Sequence, residues 1–404
     1  MLLSSAVKAD RSAVVQATSH GYGRVMSAQQ VIETGAVGVP FLDLSHSHAT
    51  LKEPLLAEIG ELLDTGAFTN GPRVVAFESS FAAYCGTSHC VGLASGLDAL
   101  RLGLLATGLE RGGEVVVPAM TFVATLEAVT QAGGVPVLVD VSEDDYCLDP
   151  SAAAGAVSAK THSLMPVHLY GQMADMRALG RLARDRDIAV IEDACQAHGA
   201  ERDGVRAGTA STAAAFSFYP GKNLGAAGDA GALVTSDAEL DGYVRALREH
   251  GQTAKYVHAY EGYTARLDAL QAVVLSHKLP LLDGWNEQRR AAAEVYDEGL
   301  RGLGDLTLPP VAQRSAPVWH LYVVRTAEPE RLAKFLKERG IATGRHYPDP
   351  VHLSEAYAWL GHGPGDFPVA EALARECLSL PMFPGVTEVQ LDAVVEGIRA
   401  FFGD

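Results

Sequence analysis

Between residues 114 and 235 the sequence repeats one pattern six times, a short and almost wholly apolar run closed by polar or turn-forming residues. The runs are 114–118, 136–141, 163–168, 188–193, 213–218 and 230–235, and helical periodicity fills gaps between them, notably 121–132 and 173–186. Strands that are apolar on both faces must be covered on both faces, and a helical crossover returns the chain parallel to the strand it left. The alternation therefore predicts an α/β fold with a mostly parallel central sheet clad by helices.

Weaker patterns complete the frame. The spacing predicts an amphipathic helix over 51–63, a turn at Thr69-Asn70-Gly71-Pro72 and helix again through Tyr84. Beyond about residue 240 the chain reads as largely helical to Arg301, with 267–282 as one long helix. Residues 319–325 read as a strand, 330–339 as a helix and 388–402 as a closing helix. A chain of 404 residues can hold a large core and a smaller second one. The expected division is a poorly ordered leader or arm over 1–37, a large α/β domain over 38–284 and a smaller α/β domain over 285–404.

Charge narrows the partners. A net charge of −17, spread along the chain, argues against nucleic acid and anionic membranes. No apolar run reaches the roughly 18 residues of a spanning helix, and no basic stretch followed by an apolar one opens the sequence. The five cysteines, at 85, 90, 147, 195 and 377, form no CxxC, so free thiols in a reducing cytoplasm are expected. The histidines form no metal-ligand cluster, and no P-loop, HExxH, GxSxG or calcium-loop pattern occurs.

Within that frame two strand ends carry chemistry. The run 213–218 is ended by Pro220-Gly221, and Lys222 follows in a loop with glycines at 221, 225, 228 and 231. A solvated loop lysine is the plain reading. Partial desolvation at a strand end would instead favour the neutral, nucleophilic amine. The run 188–193 ends in Asp193, and parallel strands bring such ends to one sheet edge, where α/β folds bind ligands. A Schiff-base lysine and a carboxylate for a protonated pyridine nitrogen are what pyridoxal phosphate requires. Gly96 opens a helix whose free amides could hold the phosphate, although a capped helix start explains Ser95-Gly96 equally well. Ser217 could add a hydroxyl or be a small strand residue. Phe122 could stack on the ring or be a core aromatic, and Gln196 could reach the phenolic oxygen or face solvent.

Several segments, in order, extend the likeness over most of the chain. They include GAFTNGPRVVAFE (66–78), GLASGLDALRLGL (92–104), EVVVPAMTFVAT (114–125), VIEDACQAHGA (190–200), FSFYPGKNLGAAGDAGALVT (216–235) and RHYPDPVHL (345–353). From about Phe41 to Phe402 the chain resembles the DegT/DnrJ/EryC1/StrS family of nucleotide-sugar aminotransferases. The resemblance implies the aspartate-aminotransferase-like fold (fold type I), a homodimer with shared sites and pyridoxal phosphate. It implies that Lys222 holds the cofactor and moves protons, and that Asp193 keeps the ring nitrogen protonated. Phe122 would stack on the ring, Gln196 would contact its hydroxyl oxygen, and Gly96, the Leu97 amide and Ser217 would hold the phosphate.

Two departures from the family pattern stand out. Leu97 replaces a frequent Thr, leaving only its amide, and Thr264 stands where relatives often have an Asn that reaches the partner's phosphate. By likeness Tyr219, His346 and Tyr347 would contact sugar or nucleotide. The wording most resembles members that aminate C3 of a dTDP-3-keto-6-deoxyhexose, with glutamate as donor. A C4 keto-sugar or cyclitol aminotransferase stays open, as does a non-catalytic cofactor-binding regulatory dimer, which the intact Lys222–Asp193–Gln196 set disfavours.

Overall fold

The protein is described by a computed structural model covering residues 38–403, so the leader or arm expected over 1–37 lies outside the described residues. Seven strands build the central sheet: β1 (His89–Leu93), β2 (Glu114–Pro118), β3 (Val135–Val139), β4 (Thr161–Leu164), β5 (Ala189–Asp193), β6 (Ala213–Ser217) and β7 (Gly231–Thr235). Their order is β1-β7-β6-β5-β4-β2-β3. The pairs from β3 through β6 are all parallel, whereas β7 runs antiparallel to both β6 and β1. The reversal follows from the β6–β7 connection, which contains the lysine loop but no helix to serve as a crossover.

The helices that matter for the site are α1 (Pro72–Cys85), α2 (Gly96–Ala106), α3 (Ala124–Gln131), α4 (Met176–Arg186), α5 (Ala269–Lys278), α6 (Leu282–Leu300), α7 (Pro329–Lys337) and α8 (Glu388–Phe402). Helix α8 has the bounds read from sequence because both ends are chemically marked. Thr387 and Gln390 form a capping box, and Gly403 closes the helix in the left-handed conformation.

Elsewhere the boundaries move for identifiable reasons. Strand β1 escaped the sequence reading because His89 and Gly92 dilute its apolar run. The 163–168 run leaves the ladder after Leu164, since Pro166 has no N–H to give, and resumes as a single Val167–Asp193 bridge. The expected long helix 267–282 is instead α5, a tight turn over Leu279–Leu281 and then the longer α6. Pro280 accounts for the interruption. Residues after Arg248 are not helical up to α5 and include a small hairpin, Gln252–Ala254 against Val257–His258.

Buried apolar side chains form two clusters. In the larger one Phe81 meets Phe216 and Phe218 edge-on, with centroids 5.1 Å apart in both cases, and Phe77 meets Phe218 at 5.4 Å. Such edge contacts are worth about 0.5–1.5 kcal/mol each beyond area burial. They pin the end of β6, and therefore the start of the lysine loop, to α1. The second cluster joins α6, α7 and α8 to a strand pair, β8 (Tyr322–Arg325) and β9 (Cys377–Leu380), which runs antiparallel. Val39 belongs to this cluster and pairs with Ile341, so the first described residues pack with the C-terminal part of the chain.

Candidate active site

Because β5 and β6 are parallel neighbours, Asp193 at the end of one and the residues after Ser217 at the end of the other emerge at the same sheet edge. A cavity of about 670 Å³ opens there. Of the residues singled out from sequence, Gly96, Leu97, Phe122, Asp193, Gln196, Ser217, Tyr219, Lys222, His346 and Tyr347 all line it. Thr264 does not. It is exposed elsewhere on the chain, with its hydroxyl 3.1 Å from His250 Nε2.

Lys222 is part-buried, and its turn is closed by its backbone N–H donating to the Tyr219 carbonyl at 2.8 Å. Burial pushes its amine below the ordinary lysine value, against the opposite pull of Cys195 and Asp193. This does not describe a solvated loop lysine. Asp193 is buried and held from two sides. Thr125 Oγ1 donates to Oδ2 at 2.8 Å, and the Cys195 N–H donates to Oδ1 at 3.2 Å. With Thr125 donating to the carboxylate, the 2.7 Å contact between Thr121 and Thr125 is filled by the Thr121 hydroxyl as donor. Thr125 and Thr121 were missed from sequence, where TFVAT offered only its aromatic as a signal.

The neighbouring Glu192 is fully buried and fixes the strand from behind. His168 Nε2 donates to it at 2.7 Å, the Ser211 hydroxyl at 2.5 Å and the Gly208 N–H at 2.9 Å. Burial pushes the Glu192 carboxyl up, and these three donors more than cancel it. His198, also fully buried, hydrogen-bonds the Ser217 carbonyl at 2.9 Å through Nε2. Burial and then the nearby Lys222 charge press its ring down to about 3.

A measurable acid weakness results. A histidine held neutral below its free value near 6.5 takes up its proton only on unfolding. A carboxylate held below its free value behaves likewise on the acid side. Both contributions are present near neutrality and lost as the pH falls. For His198 alone the loss approaches about 1.4 kcal/mol per pH unit below ~6.5. Melting temperature is expected to drop steadily between pH 7 and pH 5, and a flat profile would show that the His198 ring is not held neutral.

Ser95, which also lines the cavity, caps α2, its hydroxyl oxygen accepting from the Asp98 N–H. The N–H groups of Gly96 and Leu97 have no partner among the described residues. They are the orphan donors of a helix N-terminus, with the dipole that favours an anion. The capped helix start and the anion cradle are thus the same structure. Gly96 is required for packing as well: a Cβ there would stand 2.7 Å from Cys195 Sγ and 2.8 Å from Ser217 Cβ. Gly96→Ala is expected to cost about 1–3 kcal/mol, read as a lower denaturation midpoint. An unchanged midpoint would mean that β6 can give way.

Phe122 is 52% exposed at the cavity mouth, which removes the core-aromatic reading, and its ring lies 5.6 Å from that of Tyr347. Gln196 is buried rather than solvent-facing. Its Oε1 accepts from the Tyr170 N–H at 2.7 Å, and its Nε2 donates to the Tyr347 hydroxyl at 3.2 Å. His346 stacks on Phe41 with centroids 5.5 Å apart, and its Nδ1 is 2.8 Å from the Ser379 hydroxyl. Phe41, Leu42 and His320 also line the cavity and were missed. Their signal lay in segments read only as the start of the fold and as a strand. Two arginines that could have met a carboxylate or pyrophosphate are paired within the chain, Arg266 with Glu249 at 2.7 Å and Arg345 with Glu330. Among the described residues, no helix is long and apolar enough to cross a membrane.

The features match a known group of proteins. The family model described as the DegT/DnrJ/EryC1/StrS aminotransferase family matches residues 49–399. An erythromycin biosynthesis sensory transduction protein, EryC1, of Saccharopolyspora erythraea is 46% identical over 362 residues, 90% of this chain and 99% of that protein. A dTDP-3-amino-3,4,6-trideoxy-alpha-D-glucose transaminase of Streptomyces venezuelae is 47% identical over 361 residues, 89% of this chain and 95% of that protein. The crystal structure of S. venezuelae DesV in complex with a ketimine intermediate superposes with a TM-score of 0.89 at 46% identity, covering 91% of this chain and 99% of that one. The reversed β7 and the convergence of Lys222 and Asp193 therefore have a family to belong to: this chain is a member of the DegT/DnrJ/EryC1/StrS aminotransferases.

Proposed function

We propose that this nucleotide-sugar aminotransferase moves an amino group from glutamate to C3 of a dTDP-linked 3-keto-6-deoxyhexose, using pyridoxal phosphate. The observation that carries the reading is the placing of a desolvated lysine and a buried, doubly hydrogen-bonded carboxylate on one cavity with two unpaired helix amides. Each part fits the cofactor. The amides of Gly96 and Leu97 with the Ser217 hydroxyl suit a phosphate dianion, and Asp193 suits a protonated ring nitrogen. The exposed face of Phe122 suits an aromatic ring. Gln196 has one amide N–H beyond those already used, free for a phenolic oxygen. When bound, the cofactor supplies an electron sink that lets a C–H bond beside its nitrogen ionise.

The chain's own residues do the rest. Lys222 Nζ, poised toward its neutral form, would hold the cofactor in the resting enzyme and carry a proton between the substrate carbon and the cofactor. Asp193 holds the ring-nitrogen proton, and Thr125 holds Asp193. Tyr219, His346 and Tyr347, which also line the cavity, receive the sugar nucleotide. Thr264 lies outside the cavity of its own chain, and we assign it to the site of a second copy, making the working enzyme a homodimer. The C3 assignment is supported by the S. venezuelae transaminase likeness.

The test starts from enzyme loaded with the pyridoxamine form and follows absorbance after adding the 3-keto or the 4-keto dTDP-6-deoxyhexose. Rapid return of the lysine-bound band with the 3-keto sugar alone, and transfer of ¹⁵N from labelled glutamate into that sugar, are expected. Return with the 4-keto sugar alone moves the assignment to C4. Return with neither refutes the substrate class.

A further inference from the structure

His320 enters from the segment just before β8 and lines the cavity, a residue the mechanism above leaves unused. Its protonation state follows from the hydrogen bonds behind it. Asn286 Nδ2 donates to the His198 carbonyl at 2.8 Å, which turns Asn286 Oδ1 toward Asn223. Asn223, buried and next in sequence to Lys222, uses both N–H groups of Nδ2, one to Asn286 Oδ1 at 2.9 Å and one to the Val318 carbonyl at 2.8 Å. A carbonyl can only accept, so neither amide can be flipped. Asn223 Oδ1 is left facing His320 Nδ1 at 3.2 Å and must be the acceptor there. His320 Nδ1 therefore carries the hydrogen, and Nε2 carries a bare lone pair on the side of the ring away from Asn223.

Nε2 has no partner among the described residues. Protonating it is disfavoured, first by burial and then by the charges of Lys222 and Arg289. The ring is thus held as an acceptor at Nε2, on the lining of the cavity.

We propose that His320 Nε2 accepts a hydrogen bond from a hydroxyl of the sugar nucleotide and so selects acceptors that carry a hydroxyl within its reach. This rests on the sugar-nucleotide reading above. A site built around a fixed hydrogen-bond acceptor rejects a ligand lacking the matching donor, because the acceptor is left desolvated and unpaired. Glutamate, whose amine is the reacting group and whose carboxylates are acceptors, gains nothing from such a nitrogen.

The test uses the full-length holoenzyme with two variants and ¹⁵N-histidine spectra. In the wild type, the His320 spectrum is expected to show a protonated Nδ1 and a bare Nε2, with the Nε2 resonance moving on saturation with dTDP-glucose. His320→Phe is expected to lower kcat/KM for the keto-sugar half-reaction by about 10-fold or more, with the loss confined to that half and the cofactor absorbance retained. His320→Gln, whose carbonyl can accept, recovers most of it. A protonated Nε2, an unmoved Nε2 resonance with the nucleotide sugar bound, or a His320→Phe enzyme with undiminished sugar transfer overturns the proposal. A wild type that consumes glutamate yet aminates no sugar overturns the substrate reading and His320's role together, and the intact glutamate half tells this apart from a failure of His320 alone.

Discussion

Lys222→Ala is expected to abolish turnover, lowering the overall rate by about 10⁴-fold or more, because both the point of attachment and the proton carrier are removed. Cofactor should still bind. The amides of Gly96 and Leu97, the Ser217 hydroxyl and Asp193 are untouched, and none depends on the lysine for its hydrogen bonds. Equilibrium dialysis should therefore recover cofactor with the variant, while its spectrum lacks the lysine-bound band. The variant should also resist acid better than the wild type, since the Lys222 charge is one of the causes that press His198 and His346 down. This second readout needs no substrate. It separates a lysine that is merely absent from a variant that has misfolded. More than a tenth of wild-type turnover would refute the assignment of Lys222.

That lysine was legible in the sequence because it stood out against its surroundings, a cation placed directly after an apolar strand among glycines. Asp193 was legible for the same reason. The sheet could be read because strands buried on both faces leave continuous apolar runs, and the strand of that seven-stranded sheet that was overlooked, β1, is the one whose run is broken by His89 and Gly92. What could not be read was whatever depends on distant segments meeting. Thr125 matters because its hydroxyl reaches Asp193 across 68 positions of sequence, and nothing in its neighbours announces this. Asn223 and His320 lie 97 positions apart and define each other's hydrogen-bonding state only once folded. Gly96 was legible as a glycine but not for its full reason, which is the crowding of Cys195 and Ser217 against the helix start. Thr264 stays outside the single-chain cavity, and the sequence alone gives no spacing by which to locate a second copy.

The second large effect falls on Asp193. Asp193→Asn keeps nearly the same volume, and its carbonyl oxygen can still accept from the Cys195 N–H, so the fold should survive with little change in melting temperature. The side-chain amide would then face the Thr125 hydroxyl, which can reverse its role and accept, because Thr121 offers an alternative partner at 2.7 Å. What is lost is the charge. A preorganised carboxylate in a buried site stabilises a protonated ring nitrogen far better than a neutral amide does, and loss of such a group typically costs about 10³-fold in rate. A fall of that size in both half-reactions, with cofactor retained and the lysine-bound band still present, is the expected result. Thr125→Val is the graded control: it leaves the charge but removes one donor worth about 1.5–3 kcal/mol to an ionised acceptor. Its loss should fall between the wild type and Asp193→Asn. If Asp193→Asn instead runs within a few-fold of the wild type, the carboxylate's partner is not the ring nitrogen, and Asp193 reverts to a structural acceptor for Thr125 and the Cys195 amide.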